Sequence, residues 1–352
     1  HTTTPMSTSE LDPAIGRRIG AYKIVREIGR GGMGAVFLAE RADGVFKQDV
    51  ALKLMRHSFP DSELARRFSR ERQILASLNH PNIARLLDGG VSATREPFLV
   101  MEYVEGLRID DYCDERNLST SERLQLFLKV CHGVSYAHQH LVVHRDIKPS
   151  NIIVVEDEQG QPTPKLLDFG IAKLLDPEQA GEHTQTEMRA FTPDYASPEQ
   201  ISGGQITTSS DVYSLGVLLR DLLHGTRPST NARKASGGGQ SEVPGQQTIA
   251  TNLATDQKGE NKRAKPNVRK FASAELENII SMARREDPAR RYASAAQLAE
   301  DVQRYLDGLP VRAQKDSFTY RAGKFVRRNK VGVVAAALVL LSLFAGFAVA
   351  IW

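Results

Sequence analysis

The chain has 352 residues, 41% hydrophobic and 25% charged, a balance that supports a packed core and excludes collagen-like, wholly disordered and polytopic membrane classes. The formal net charge of +4 is small for this length and no Lys/Arg block is interleaved with aromatic residues, so nucleic acid is not an expected partner. Two cysteines, Cys113 and Cys131, are too few for a disulfide framework or a zinc cluster and point to a reducing compartment.

Residues 1–14 are polar and predict a disordered segment ahead of the fold. From Tyr22 to about residue 55, apolar and polar positions alternate around a glycine cluster, which predicts three strands. The spacing turns helical from Ser62 to Leu78, with Leu64, Phe68, Leu75 and Leu78 on one face, until Asn79-His80-Pro81 stops it. More strands follow, ending in Phe98-Leu99-Val100-Met101. Ser119 and Glu122 then form a capping box ahead of Leu124, Phe127, Leu128, Cys131 and Val134 at helical spacing. Residues 229–270 are rich in Gly, Ser, Gln, Asn, Thr and Lys, which predicts a disordered insertion. Helical periodicity returns at Leu276–Met282 and Leu298–Leu306.

Val331–Trp352 is an uncharged apolar run whose length as a helix, about 33 Å, covers a hydrocarbon core of about 30 Å. It predicts one transmembrane helix. Arg321, Lys324, Arg327, Arg328 and Lys330 crowd its N-terminal flank, which predicts that everything before it is cytoplasmic, on the inner face of a cell membrane.

Among the residues that carry chemistry, Gly29-Arg30-Gly31-Gly32-Met33-Gly34-Ala35-Val36 lies between two predicted strands. Its backbone N–H groups are suited to phosphates, although the same glycines also suit a plain hairpin. A dinucleotide fold would place a helix after such a loop, and a Walker loop would end in Gly-Lys-Ser/Thr; neither pattern is present. Lys53 in Val50-Ala51-Leu52-Lys53 ends a strand and needs an anionic partner if it is buried. Glu71 is the candidate, although Arg66, Arg67, Arg70 and Arg72 around it also fit a solvated helix face. In His144-Arg145-Asp146-Ile147-Lys148-Pro149-Ser150-Asn151, followed by Asp168-Phe169-Gly170, Asp146 is suited to accept from a hydroxyl. Asn151 and Asp168 are hard oxygen ligands for Mg²⁺.

In this order, from about Tyr22 to Leu306, these motifs resemble the eukaryotic-type protein kinase family. Ala196-Ser197-Pro198-Glu199, Asp211 in Asp-Val-Tyr-Ser-Leu-Gly-Val-Leu-Leu, and Arg291 after Asp287-Pro288 extend the likeness. The resemblance implies an α+β, bilobal protein-kinase fold. A small β-rich N-lobe with one long helix would span residues 15–102 and a larger helical C-lobe residues 103–309. A basic juxtamembrane segment, 310–330, and the transmembrane helix, 331–352, would follow.

It also implies ATP- and Mg²⁺-dependent phosphorylation of serine and threonine on protein substrates. ATP would lie against Ile28, Gly29, Gly31, Gly32, Gly34, Val36, Ala51, Lys53, Met101, Glu102 and Val104. Lys53 would orient its phosphates while paired with Glu71, Asn151 and Asp168 would hold Mg²⁺, and Asp146 would position the substrate hydroxyl. Lys148 is the Ser/Thr-kinase form of that loop, and Thr192 resembles the substrate-loop threonine that contacts Asp146 and Lys148. Arg145 before Asp146 is the arrangement of kinases ordered by a phosphate, with Thr184 or Thr186 the expected regulatory sites and self-association the expected route to them. Phe191 stands where many kinases have Gly, a departure that touches peptide preference. Gly308-Leu309-Pro310-Val311-Arg312 and the basic stretch into an apolar helix look like bacterial membrane-anchored Ser/Thr kinases. The rival reading is a nucleotide-binding pseudokinase scaffold, which loss of Lys53, Asp146 or Asp168 would favour; all three are present.

Overall fold

The computed structural model describes residues 14–31, 34–55, 62–157, 159–169, 194–225 and 273–314, with 324, 332, 334–336 and 338–343 beyond them. Gly32, Thr184, Thr186, Thr192, the predicted insertion and much of 331–352 lie outside the described residues.

The N-terminal lobe is an antiparallel sheet in the order β1-β2-β3-β4-β6-β5, formed by Arg18–Ile19, Tyr22–Gly31, Gly34–Arg41, Asp49–Met55, Leu86–Val91 (β5) and Pro97–Glu102 (β6). The predicted alternation decides its two faces. Val50 and Leu52 of β4, with Phe98 and Val100 of β6, join Ile19, Tyr22, Ile24, Phe37 and Ala39 in an outer apolar cluster. The intervening residues face the other way, and pairing aligns them across strands: Gly29 with Val36, Val36 with Lys53, Lys53 with Leu99, and Ala51 with Met101. Period-two patterning thus puts the glycine strand, Lys53 and Met101 on one face. Helix α1 (Ser62–Ala76) carries Phe68 and Leu75 into the core that the C-terminal lobe shares, and Arg72 donates to the carbonyl of Gly89 in β5.

The C-terminal lobe begins with β7 (Leu107–Arg108), α2 (Ile109–Glu115) and α3 (Thr120–Gln139). Both halves of the expected capping box form, with the Ser119 side chain accepting from Glu122 N and the Glu122 carboxylate accepting from Ser119 N. A 3₁₀ turn at Pro149–Asn151 leads into β8 (Ile152–Glu156), which pairs with β7 and with β9 (Pro162–Leu166). Among the described residues the lobe continues with helices α4 (Pro198–Ile201), α5 (Thr208–His224), α6 (Ala274–Ala283) and α7 (Ala295–Leu306). In α5, Val212, Leu215, Val217, Leu218, Leu219, Leu222 and Leu223 are all buried, so this helix is apolar nearly all round and runs through the middle of the lobe. Among the described residues no helix is long and apolar enough to cross a membrane. Residues 338–343 are helical, with exposed Leu338, Val339, Leu340, Leu341 and Leu343.

Candidate active site

The catalytic-loop residues are held from below by one carboxylate. Asp211, near the start of α5, is 1% exposed and accepts from the backbone N–H groups of His144 and Arg145 at 2.8 Å each, and from His138 Nε2 of α3 at 2.8 Å. Burial alone would raise the Asp211 pKa, but the His138 bond and the neighbouring donors outweigh it and hold the group below the ordinary carboxylate value. This grip fixes Arg145 at φ 67°, a left-handed conformation that a non-glycine residue adopts at a cost of about 1–3 kcal/mol. Gln200 Nε2, from α4, donates to the Arg145 carbonyl at 2.9 Å and binds the loop from the other side.

The strained turn presents Asp146. Its Oδ2 lies 2.9 Å from Lys148 Nζ and 2.9 Å from Asn151 Nδ2, and the same amide nitrogen donates to the Asp146 carbonyl at 2.8 Å. Asn151 is thereby locked with its amide nitrogen on the catalytic loop and its oxygen left as an acceptor. Asp168 follows β9 at φ 55°, the second strained residue of the site, and its Oδ1 receives Lys53 Nζ at 2.9 Å. Phe169 packs its ring 4.6 Å from that of His144. Burial lowers the His144 pKa, with Asp211, Asp146 and Asp168 opposing.

One expected pairing differs. Lys53 takes Asp168 as its ion-pair partner instead of Glu71. Glu71 is half-buried on α1, and its charge is felt at Arg145, where burial lowers the guanidinium pKa and Asp211 and Glu71 oppose. The carboxylate on the loop after β9 reaches Lys53 Nζ, whereas the charge of Glu71 acts on Arg145.

The residues expected to face a nucleotide come together as the strand register requires. Among the described residues no atom lies within 4 Å of where a Cβ would stand on Gly29 or Gly31, so they leave open space over this strand's backbone. Gly34 is of another kind: its φ is 155° and a Cβ there would stand 2.1 Å from the Leu54 carbonyl oxygen, so only glycine lets β3 start against β4. At the back, Lys53, Met55, Leu75, Leu86, Leu99 and Met101 enclose a cavity closed by Asp168 and Phe169. Glu102, in the segment joining the lobes, receives Lys165 Nζ of β9 at 2.7 Å and Arg85 N at 3.2 Å. The donor set fits a hard cation, since Lys53 takes one oxygen of Asp168 and Asn151 offers an amide oxygen.

Sequence reasoning did not foresee the supporting roles of His138, Gln200 and Lys165. Their partners are 73, 55 and 63 positions away, respectively, and no local pattern marks such pairs. Glu199 of α4 forms a bidentate pair with Arg291 at 2.7 and 2.8 Å and accepts from Ser210 Oγ at 2.7 Å.

The protein kinase domain pattern matches residues 22–302. This chain belongs to the protein kinase family. It is 38% identical over 296 residues, 83% of its length, to serine/threonine-protein kinase PrkC of Bacillus subtilis, of which it covers 42%. It is 32% identical over 299 residues, 84% of its length, to serine/threonine-protein kinase PknB of Mycobacterium tuberculosis, of which it covers 44%. The chain therefore spans less than half the length of these two curated relatives. The crystal structure of the M. tuberculosis PknI kinase domain superposes with a TM-score of 0.58 at 25% identity, over 84% of this chain and 100% of the other. The resemblance read from the motifs holds: this is a eukaryotic-type bacterial kinase domain with a β-sheet N-lobe and a helical C-lobe. The family in general uses ATP and Mg²⁺.

Proposed function

We propose that the kinase transfers the γ-phosphoryl group of ATP to serine and threonine hydroxyls of proteins, its own activation segment included. The observation that carries this reading is the convergence of Asp146, Lys148 and Asn151 in one bonded set, with Lys53 on Asp168 across the cleft. The glycine-rich stretch 29–36, at the end of β2 and the start of β3, would cover the phosphates, and Ile28, Ala51, Met101, Glu102 and Val104 would border the base. Lys53 orients the α- and β-phosphates. Asp146 accepts the hydrogen bond of the attacking hydroxyl, and Lys148 balances charge at the transferring group. Asn151 and Asp168 would hold Mg²⁺, which when bound supplies charge neutralisation at the phosphates. Thr192 sits in sequence where it would contact Asp146 and Lys148, and Thr184 and Thr186 are the proposed phosphorylation sites. A phosphate there would be drawn to Arg145.

The apolar run 331–352, preceded by five basic residues, supports a single-pass anchor with the kinase on the cytoplasmic side of the inner membrane. Anchoring two copies in one plane would favour phosphorylation in trans. The pseudokinase alternative has no missing catalytic residue to recommend it.

The test is transfer of labelled γ-phosphate to serine or threonine of a generic acceptor protein, with Mg²⁺ present. Incorporation in the unsubstituted chain and its loss in Asp146→Asn are expected. A folded preparation with no incorporation, or an active Asp146→Asn, would overturn the reading.

A further inference from the structure

The chain does not leave the C-lobe where α7 ends. Gly308, at φ 68°, turns it back, Leu309 N donates to the Arg304 carbonyl at 2.8 Å, and Arg304 Nε donates to the Pro310 carbonyl at 2.8 Å. Val311 then enters the core at 3% exposure. Asp301 of α7 is fully buried and accepts from Tyr292 OH at 2.8 Å, Arg312 N at 2.6 Å and Ala313 N at 2.9 Å. A buried carboxylate is costly unless donors surround it, and two of these three belong to the segment after the kinase helices. That segment is therefore part of what makes Asp301 tolerable in the core.

A second contact lies farther along. Lys324 Nζ is 2.8 Å from Glu275 Oε2, the two side chains only 18% and 16% exposed, and stands 5.9 Å above the Tyr305 ring. Arg312 meets Glu300 of α7 at 2.6 Å. In both ion pairs the acid is on a C-lobe helix and the base on the segment that follows, and Arg321, Arg327, Arg328 and Lys330 continue the basic character.

We infer that the face formed by α6 and α7 is the docking surface for the chain that follows it, held at two described places: Arg312 and Ala313 on Asp301 as the inner fixing, and Lys324 on Glu275 beside Tyr305 as the outer fixing. Residues 308–314 and Lys324 are then part of the kinase fold's own surface. Glu275 lies in the first turn of α6. Docking requires only these contacts, whether or not residues 331–352 cross a membrane.

The test is brief acetylation of the full chain in detergent, read lysine by lysine by peptide mass spectrometry, with exposed Lys47 as the reference. Lys324 is expected to react at least about five-fold more slowly than Lys47, in line with an ion pair of about 1 kcal/mol. Glu275→Gln should bring it level, while the amides of Arg312 and Ala313 keep their slow hydrogen exchange and so report an intact fold. Equal rates at Lys324 and Lys47 in the unsubstituted chain, or protection that survives Glu275→Gln, would overturn the docking.

Discussion

Lys53 and Asp168 meet at 2.9 Å, joining the fourth strand of the N-lobe to the loop after β9 in the C-lobe. The pair spans the cleft in which phosphates are proposed to lie, so each group is oriented by the other. Lys53→Met removes the positive charge and leaves the site's backbone untouched. Phosphoryl transfer should fall by about 10²–10³-fold or more, the scale for losing one preorganised electrostatic partner. Circular dichroism and thermal unfolding should change little. Retention of more than a tenth of the rate would show that the lysine does not act on the transferring group.

Glu199 and Arg291 form an enclosed ion pair, with side chains 11% and 0% exposed. Burial pushes the Glu199 carboxyl up, but the bonds from Arg291 and Ser210 outweigh this and hold it at about 2, against an ordinary value of 4.5. Because the folded pKa is depressed, the stabilisation is fully present above about pH 4.5 and is lost as pH falls through about 2. Arg291→Ala leaves an unpaired, partly buried carboxylate and should cost about 3–5 kcal/mol in urea unfolding at pH 7. The penalty should shrink at pH 3, where the unfolded carboxyl is already protonated. A penalty independent of pH would locate the effect in lost packing against Tyr213, over whose ring the guanidinium stands at 5.1 Å.

Asp211 offers a sharper separation of support from chemistry. It touches neither cleft nor cation ligand, yet it holds the N–H groups of His144 and Arg145 just before Asp146. Asp211→Ala leaves both donors without their buried acceptor and frees Arg145 from φ 67°. We expect a loss of about 3–5 kcal/mol in stability, as for breaking a buried charged network, and a fall in turnover larger than any rise in KM for ATP. Unchanged turnover in a folded variant would mean that the turn holds its shape without the carboxylate.

Much of this was legible before the structure because it rests on local periodicity. Alternation in Val50-Ala51-Leu52-Lys53 already separates a core face from a cleft face, and Ser119 with Glu122 already marks the start of α3. Asp146, Lys148 and Asn151 lie within one short loop, so their convergence follows from chain proximity. The partner of Lys53 was not legible, since Glu71 and Asp168 are both acidic, both distant in sequence, and distinguished only by how the lobes sit. The same holds for Asp301, which among Gln297, Glu300, Gln303 and Arg304 of α7 has the look of a solvated position until the backbone of Arg312 and Ala313 is seen folded onto it.

Helix packing in the C-lobe gives a stability prediction free of charge. Gly216 sits on α5 where a Cβ would stand 2.7 Å from the Cβ of Ala283 on α6 and 2.9 Å from Arg284 Cγ. The alanine Cβ is fixed to the neighbouring helix and has no rotation by which to give way. Gly216→Ala should cost about 1–3 kcal/mol, the range for overpacking, despite alanine's better helix propensity. Pairing it with Ala283→Gly should recover part of that loss. Neutral behaviour in chemical denaturation would mean that the helices separate more easily than their close approach implies.

The two thiols supply a test of how tightly that lobe is closed. Cys113 and Cys131 are free and fully buried, on α2 and α3 respectively. Burial pushes the Cys113 thiol up to about 12, with Arg123 opposing, and pushes Cys131 higher still. Alkylation requires thiolate and access, and both are denied in the folded state. Iodoacetamide at pH 8 should therefore add no mass at either cysteine under native conditions and should modify both in concentrated urea. Between these limits the labelling rate should follow the unfolding curve, since the same opening that admits reagent restores an ordinary thiol pKa. Labelling of Cys113 without Cys131 at low denaturant would reveal that α2, a short helix whose first residue cap makes no side-chain bond, opens separately from the α3 core.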